Sequence, residues 1–365
     1  MLAGVSLAQD TLYFNLACVF VGYFAKDGLI LMVTSYLPEL SDDIAEEARA
    51  SGIGNAWLYG TELLSIGALL AVAGAFGAED ADVGRLSGGV LGTASLLLVP
   101  LAFGTLYPKP PRVGADEQIT SVPQLYGAVG RSFRRSLSVV ATCWGENRDY
   151  ALLLLTALVA DPALNGLVVL AAVFLQEESC LKASDVSVVL AAAIFAALPG
   201  AVVCSRVGTS VRAARNAQIA CLLAIAVVTA VASAAMPRGD VGIAAVFGVL
   251  WGLLLGATWQ AHGLQLAGCV TPGRESELGG ITILAYNCLQ WLPPLLFVSM
   301  NEATGSMKAA LALLVPFYVL GILVLLGVNP ERARLHVEEC KGRRRTAPAA
   351  PDGGEKEMNA ANTKV

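Results

Sequence analysis

The sequence is poor in charge and nearly without histidine. Charged residues make up 15% of its 365 residues, whereas a soluble domain of ordinary composition has about 25%. The two histidines, His262 and His336, are too few for a metal site built on imidazole. The eight cysteines are scattered and form no Cys-x-x-Cys pair, so they are expected to be small apolar residues. Lipid is therefore the expected solvent for most of the protein surface.

Signatures of nucleotide binding and of hydrolytic catalysis are also missing. The sequence has no P-loop, no glycine-rich phosphate-binding turn, no His-Glu-x-x-His and no Gly-x-Ser-x-Gly. It therefore predicts no enzyme, no cofactor and no nucleic-acid partner. The same absences argue against ATP-driven transport by this chain alone.

Long apolar runs are what the sequence has in abundance, with 56% hydrophobic residues. A helix of roughly 20 apolar residues crosses the hydrocarbon core of a bilayer. Lipid offers no partners to backbone amides, so the expected fold is an all-α polytopic membrane protein. The nine predicted spans are Leu12–Tyr36, Ala56–Phe76, Leu86–Tyr107, Tyr150–Leu175, Val186–Val207, Ala217–Met236, Val241–Gly263, Leu278–Met300 and Ala309–Val328.

A long polar loop divides these spans into three and six. We expect a partial N-terminal bundle of three helices in residues 1–107 and a cytosolic central loop in 108–149. A six-helix bundle in 150–329 and a disordered cytosolic tail in 330–365 complete the expected organisation.

Basic residues concentrate on the side of the membrane that holds the central loop. They are Lys109, Arg112, Arg131, Arg134, Arg135, Arg148, Arg206, Arg212, Arg215, Arg274, Arg332, Arg334, Lys341 and Arg343–Arg345. The opposite side has only Arg85, Lys182, Arg238 and Lys308 near the membrane. Because cytosolic loops carry the excess of lysine and arginine, the central loop and the C-terminus are predicted to be cytosolic.

Asp161 is the most informative ionisable residue, since it falls in the middle of the fourth span. Pro162 follows it directly and Asn165 lies one turn further along. Proline removes a helical hydrogen bond, so we expect a broken helix at the carboxylate. Secondary transporters build substrate and ion sites from such helices. The alternative is a local turn nearer the membrane surface.

Lys26 and Asp27 fall within the first span. Neighbouring residues on a helix point about 100° apart, so the two are not expected to pair with each other. One could face a cavity while the other reaches the interface. The alternative is a shorter span that begins near Leu29 and leaves both residues in a polar flank.

Three amide side chains complete the candidate pathway, and the histidine His262 lies close to one of them in the sequence. Gln260 and His262 end the seventh span, and Asn287 and Gln290 lie inside the eighth. Such groups either line a transport path or hydrogen-bond between helices, and taken singly each favours the second interpretation.

Glycine and proline predict two local features of the last spans. Gly248, Gly252 and Gly256 recur every four residues on one helix face, where a neighbouring backbone can approach closely. Pro293 and Pro294 predict a kink within the eighth span.

Three short segments, Ser35–Leu40, Ala50–Gly60 and Ala160–Pro162, together resemble the autophagy-related protein 22-like vacuole effluxers of the major facilitator superfamily. Ser35–Leu40 resembles the segment that ends the fourth helix of that family. Ala50–Gly60 is similar to the run that follows it, and Ala160–Pro162 stands where the family has Asp-Gly in its seventh helix.

The strongest resemblance lies near the C-terminus. Pro272–Glu277, Trp291–Leu295 and Glu302–Ser306 follow one another with the spacing of the family's eleventh helix and the turn before its twelfth. Arg206–Arg215 resembles the basic loop between helices eight and nine. The resemblance covers roughly residues 11–330 and corresponds to helices four to twelve.

The resemblance implies a major-facilitator-type helical bundle whose N-terminal half is truncated. It implies a secondary transporter that exports amino acids from the vacuole lumen to the cytosol by alternating access, linked to autophagy. The expected partners are a small-molecule substrate and the lipid bilayer, with proton coupling left open. The alternative is a truncated, non-transporting membrane protein, either a regulatory isoform or the product of an incomplete gene prediction.

Overall fold

Helices make up the C-terminal part of the chain. The computed structural model describes residues 144–271 and 274–346, with isolated positions between 53 and 142. The helices with described bounds are α1 Arg148–Glu177, α2 Ala183–Val207, α3 Val211–Ala235, α4 Val241–Cys269, α5 Glu275–Cys288, α6 Leu292–Thr304, α7 Met307–Ala312, α8 Val315–Leu326 and α9 Pro330–Thr346.

Six membrane spans are present in the described part of the chain, as predicted for the region after the loop. Four of them correspond to α1, α2, α3 and α4. The fifth, Glu277–Thr304, joins α5 and α6, and the sixth, Met307–Leu326, joins α7 and α8. The chain is thus an all-α polytopic membrane protein. The predicted spans Leu12–Tyr36 and Leu86–Tyr107 lie outside the described residues, and Ala56–Phe76 is described at only a few helical positions.

The predicted kink in the eighth span is confirmed. Helix α5 ends at Cys288, residues 289–291 form a turn, and α6 begins with Pro293 in its first turn. Proline fits there because the first helical N–H groups have no intrahelical acceptor. The sixth span breaks in the same way, with Pro316 in the first turn of α8.

The break expected at Pro162 does not occur. Helix α1 runs without interruption from Arg148 to Glu177 with Pro162 inside it. Proline removes one helical hydrogen bond, and packed neighbours in a membrane bundle can tolerate that loss. Two such contacts flank Pro162: Gly321 of α8 lies against Ala160, and Tyr318 donates from its hydroxyl to the carbonyl of Ala163 (3.2 Å).

Helices α2 and α4 approach so closely that their backbones touch. A Cβ at Gly252 would overlap the carbonyl oxygen of Ala193, and one at Gly256 would overlap that of Ala197. A Cβ at Gly248 would come within 2.8 Å of the Val189 side chain. The close approach predicted from the glycine spacing is therefore confirmed.

The segment after Pro330 begins as a helix, which corrects the expectation of a disordered tail for residues 330–346. Asn329 accepts hydrogen bonds from the backbone N–H groups of Glu331 and Arg332 and so satisfies two donors at the start of α9. Arg332 fastens the helix to the bundle through Asp149. Its Nε and Nη2 both donate to that carboxylate, each over 2.6 Å. Those bonds raise the pKa of Arg332 above its usual range.

Replacing Arg332 with glutamine is expected to destabilise the bundle by about 2 kcal/mol. The reason is that Asp149 is only 2% exposed and would lose its charged partner. Arg334→Gln is the matched control, because its partner Glu338 and Arg334 itself are mostly exposed. Such a pair contributes at most about 0.5 kcal/mol. Thermal unfolding of the purified protein measures both, and equal losses would contradict the role of the Asp149 pair.

Candidate functional site

Asp161 lies near the middle of the 30-residue helix α1 and is 2% exposed. This helix is the most enclosed span, with 61% of its most apolar window buried, against 22% to 44% for the other five spans. The Oδ2 atom of Asp161 has no hydrogen-bond partner. A buried carboxyl group without a partner is costly in a membrane protein, and such groups commonly mark a functional site.

Tyr286 of α5 lies between α1 and the histidine of α4. The span formed by α5 and α6 packs along α1 at two levels: the hydroxyl oxygens of Thr282 and Tyr150 lie 3.0 Å apart, and Pro293 lies against Gly166. The ring centroid of Tyr286 lies 5.5 Å from that of His262. Asp161 on α1 and Tyr286 on α5 both lie between those two contacts in the sequence, and Tyr286 lies beside the imidazole on α4.

His262 belongs to a buried hydrogen-bonded network with two glutamines. Gln218 of α3 donates from Nε2 to Nδ1 of His262 over 3.0 Å. With Nδ1 accepting, a neutral ring carries its proton on Nε2. Gln265 donates from Nε2 to Oε1 of Gln218 and to the carbonyl of Ala261. All three side chains are at most 1% exposed.

Two atoms of this network are left without partners: Nε2 of His262 and Oε1 of Gln265. With Oδ2 of Asp161, the region offers one donor, one amide acceptor and one carboxyl oxygen, all buried. Native proteins pair nearly all such atoms, so three in one region indicate a place for a ligand, an ion or water. We call Asp161, Gln218, His262, Gln265 and Tyr286 the polar cluster.

The polar cluster extends along the bundle. At 1.5 Å per residue, Asp161 lies about 20 Å from the start of α1. Gln218 lies about 10 Å from the start of α3, and His262 lies about 10 Å from the end of α4. Those three helix ends belong to the same end of the bundle. Asn147 at the start of α1 donates to the carbonyl of Cys269 at the end of α4 (2.9 Å). Arg215 in α3 donates to the carbonyl of Val328, and the next residue, Asn329, donates from its backbone N–H to Asp149 of α1. The cluster thus leads from mid-bundle toward that end.

The other residues predicted for the pathway occupy different positions. Asn165 is half-buried one turn beyond Asp161 on the same helix. Gln260 is fully buried, and it lies four residues beyond Gly256, which packs against Ala197 of α2. Asn287 donates to the carbonyl of Ile283 in its own helix (2.9 Å), and Gln290 lies in the turn between α5 and α6. Their role in the pathway stays a prediction, and Lys26 and Asp27 lie outside the described residues.

Sequence reasoning missed Gln218, Gln265 and Tyr286 as site residues. Two signals were available: Gln218 is an amide inside an apolar span, and Gln265 follows His262 by three residues on one helix face. Within the described residues, no group of three histidine, cysteine or carboxylate side chains could hold a metal ion.

A family model matches most of the chain. Residues 39–338 match the family described as vacuole effluxer Atg22 like. No curated protein matches the chain significantly. The family match covers all six described spans and every member of the polar cluster. The chain therefore belongs to the vacuole effluxer Atg22-like family, a family of membrane transporters.

Proposed function

We propose that the protein is a secondary transporter that exports amino acids from the vacuole lumen to the cytosol. The polar cluster forms part of its substrate or ion pathway. The observation that carries this proposal is the set of three unpartnered polar atoms inside a bundle of membrane helices. Such groups are costly in lipid unless they meet a ligand, an ion or water.

The hydrogen-bonding groups of the polar cluster support a polar organic substrate. The carboxyl group of Asp161 can accept from an ammonium group, Nε2 of His262 can donate to a carboxylate, and Oε1 of Gln265 can accept from either a donor on the substrate or water. The carboxyl group of Asp161 and the imidazole of His262 can each take up and release a proton, which supports proton coupling. Alternating access would expose the cluster to one side of the membrane at a time.

Charge supports an orientation in which the end with α9 faces the cytosol. Arg212, Arg215, Arg274 and Arg332 all lie at that end, and basic residues favour the cytosolic side. A C-terminal tag should therefore be removed by protease added to intact isolated vacuoles. A tag that is cleaved only after detergent is added would contradict this orientation.

Purified protein in proteoliposomes loaded with radiolabelled neutral amino acids should release them faster than protein-free vesicles. An imposed proton gradient should change the initial rate if transport is coupled to protons. Heat-inactivated protein in the same vesicles is the control for leakage. Release no faster than that control, with and without the gradient, would contradict the proposal and favour the non-transporting alternative.

A further inference from the structure

A second polar site lies outside the polar cluster, at the end of the bundle where α3 begins, α8 ends and α9 begins. It is a pocket of ≈ 370 Å³ lined by Arg212, Arg215, Glu331 and Arg332 together with residues 326–330. Three guanidinium groups face one carboxylate in its lining. Nothing in transport through the polar cluster accounts for this arrangement.

In two of the three arginines, neighbouring groups neutralise the positive charge only weakly, so it can attract a bound anion. Arg212 approaches Glu331 at 3.7 Å, but the two side chains are 70% and 75% exposed. Such an exposed pair contributes little and can be displaced by a stronger anion. Arg215 donates to two neutral acceptors, the carbonyl of Val328 (2.6 Å) and Oδ1 of Asn216 (3.3 Å). These bonds hold its guanidinium group at the pocket without cancelling its charge.

Arg332 lines the side of the pocket that is attached to α1. Its two hydrogen bonds to the buried Asp149 hold the start of α9 against α1. Because that carboxylate balances the charge of Arg332, the net positive charge of the pocket comes from Arg212 and Arg215, partly offset by Glu331.

We propose that this pocket binds a phosphate group, supplied by an anionic lipid headgroup or by a soluble phosphate. The planar guanidinium fork matches phosphate oxygens in geometry and charge. The pocket lies where one membrane span begins, at Val211 of α3, and another ends, at Leu326 of α8. The ends of a spanning helix are the parts that lie closest to lipid headgroups. The sequence of α9 continues into Lys341 and Arg343–Arg345, which adds attraction toward an anionic surface.

Native mass spectrometry of the full chain in detergent tests this proposal. The protein is titrated with phosphatidic acid, with phosphatidylcholine and with inorganic phosphate. We expect phosphatidic acid to bind more tightly than phosphatidylcholine. If inorganic phosphate competes with it, the pocket accepts either source, and if it does not, the lipid is the ligand. Equal binding of phosphatidic acid and phosphatidylcholine would overturn the proposal.

Matched variants locate the binding in the pocket. Arg212→Gln is expected to weaken binding of phosphatidic acid about tenfold, the effect of losing one charge-assisted hydrogen bond. Arg334→Gln makes the same charge change on an equally exposed side chain outside the lining and should leave binding unchanged. Glu331→Gln removes the competing carboxylate and should tighten binding, whereas Glu338→Gln should not. Equal effects within either pair would show a diffuse surface charge and overturn the proposed site.

Discussion

Replacing Gly252 with alanine is expected to lower the free energy of unfolding by about 3 kcal/mol, the upper end of what overpacking costs. The added Cβ would overlap the carbonyl oxygen of Ala193 on α2. A backbone atom cannot rotate away as a side chain can, so α2 and α4 would have to separate. That movement would also loosen the contact between Gly256 and Ala197. Thermal unfolding of the purified protein measures the loss.

Gly263→Ala is the matched control for this prediction. It makes the same change on the same helix, where an added Cβ has nothing within 4 Å. Stability should be unchanged or raised by up to about 1 kcal/mol, because alanine favours a helix over glycine. If the two variants unfold alike, the close packing of α2 on α4 does not hold the bundle together.

Asp161→Asn is expected to reduce amino-acid efflux by about 10- to 100-fold, the effect of losing one charge-assisted hydrogen bond to the substrate or coupling ion. Asparagine has nearly the same shape, so the bundle should still fold. Its thermal stability should be equal or higher, because the substitution removes an unpartnered ionisable group from the membrane interior. Lower transport together with undiminished stability is the signature of a functional residue.

Initial efflux rates from proteoliposomes measure this effect, with Asp185→Asn as control. Asp185 lies in the first turn of α2, away from the polar cluster, and the substitution makes the same change from carboxyl to amide. Its rate should stay close to that of the unmodified protein. Unchanged efflux in Asp161→Asn, or the same reduction in both variants, would exclude Asp161 from the pathway.

Much of the fold could be predicted from local sequence patterns. The length of each apolar run gives the six described spans, because bilayer thickness fixes how much helix is needed. The spacing of Gly252 and Gly256 predicts a close helix contact, since residues four apart share a face. The prolines at positions 293 and 294 predict where the eighth span breaks. Each of these features depends on residues that are close together in the sequence.

The candidate site was only partly predictable, because it depends on distant residues. Asp161 could be found alone, as a carboxylate in an apolar run. The partnership of Gln218 with His262 joins residues 44 positions apart, and no local pattern specifies it. The continuity of α1 through Pro162 and the helical start of α9 were missed for the same reason. Asp149 and Arg332, which hold α9 in place, are 183 positions apart.

Carbodiimide labelling of Asp161 is the most direct test of the transport pathway. A hydrophobic carbodiimide reacts with a protonated carboxyl group that it can reach, and mass spectrometry of the peptide that contains Asp161 gives the rate. We expect Asp161 to be labelled and a transported amino acid at saturating concentration to slow the reaction severalfold. A peptide that stays unlabelled, or one labelled at the same rate with and without substrate, would contradict a place for Asp161 in the transport pathway.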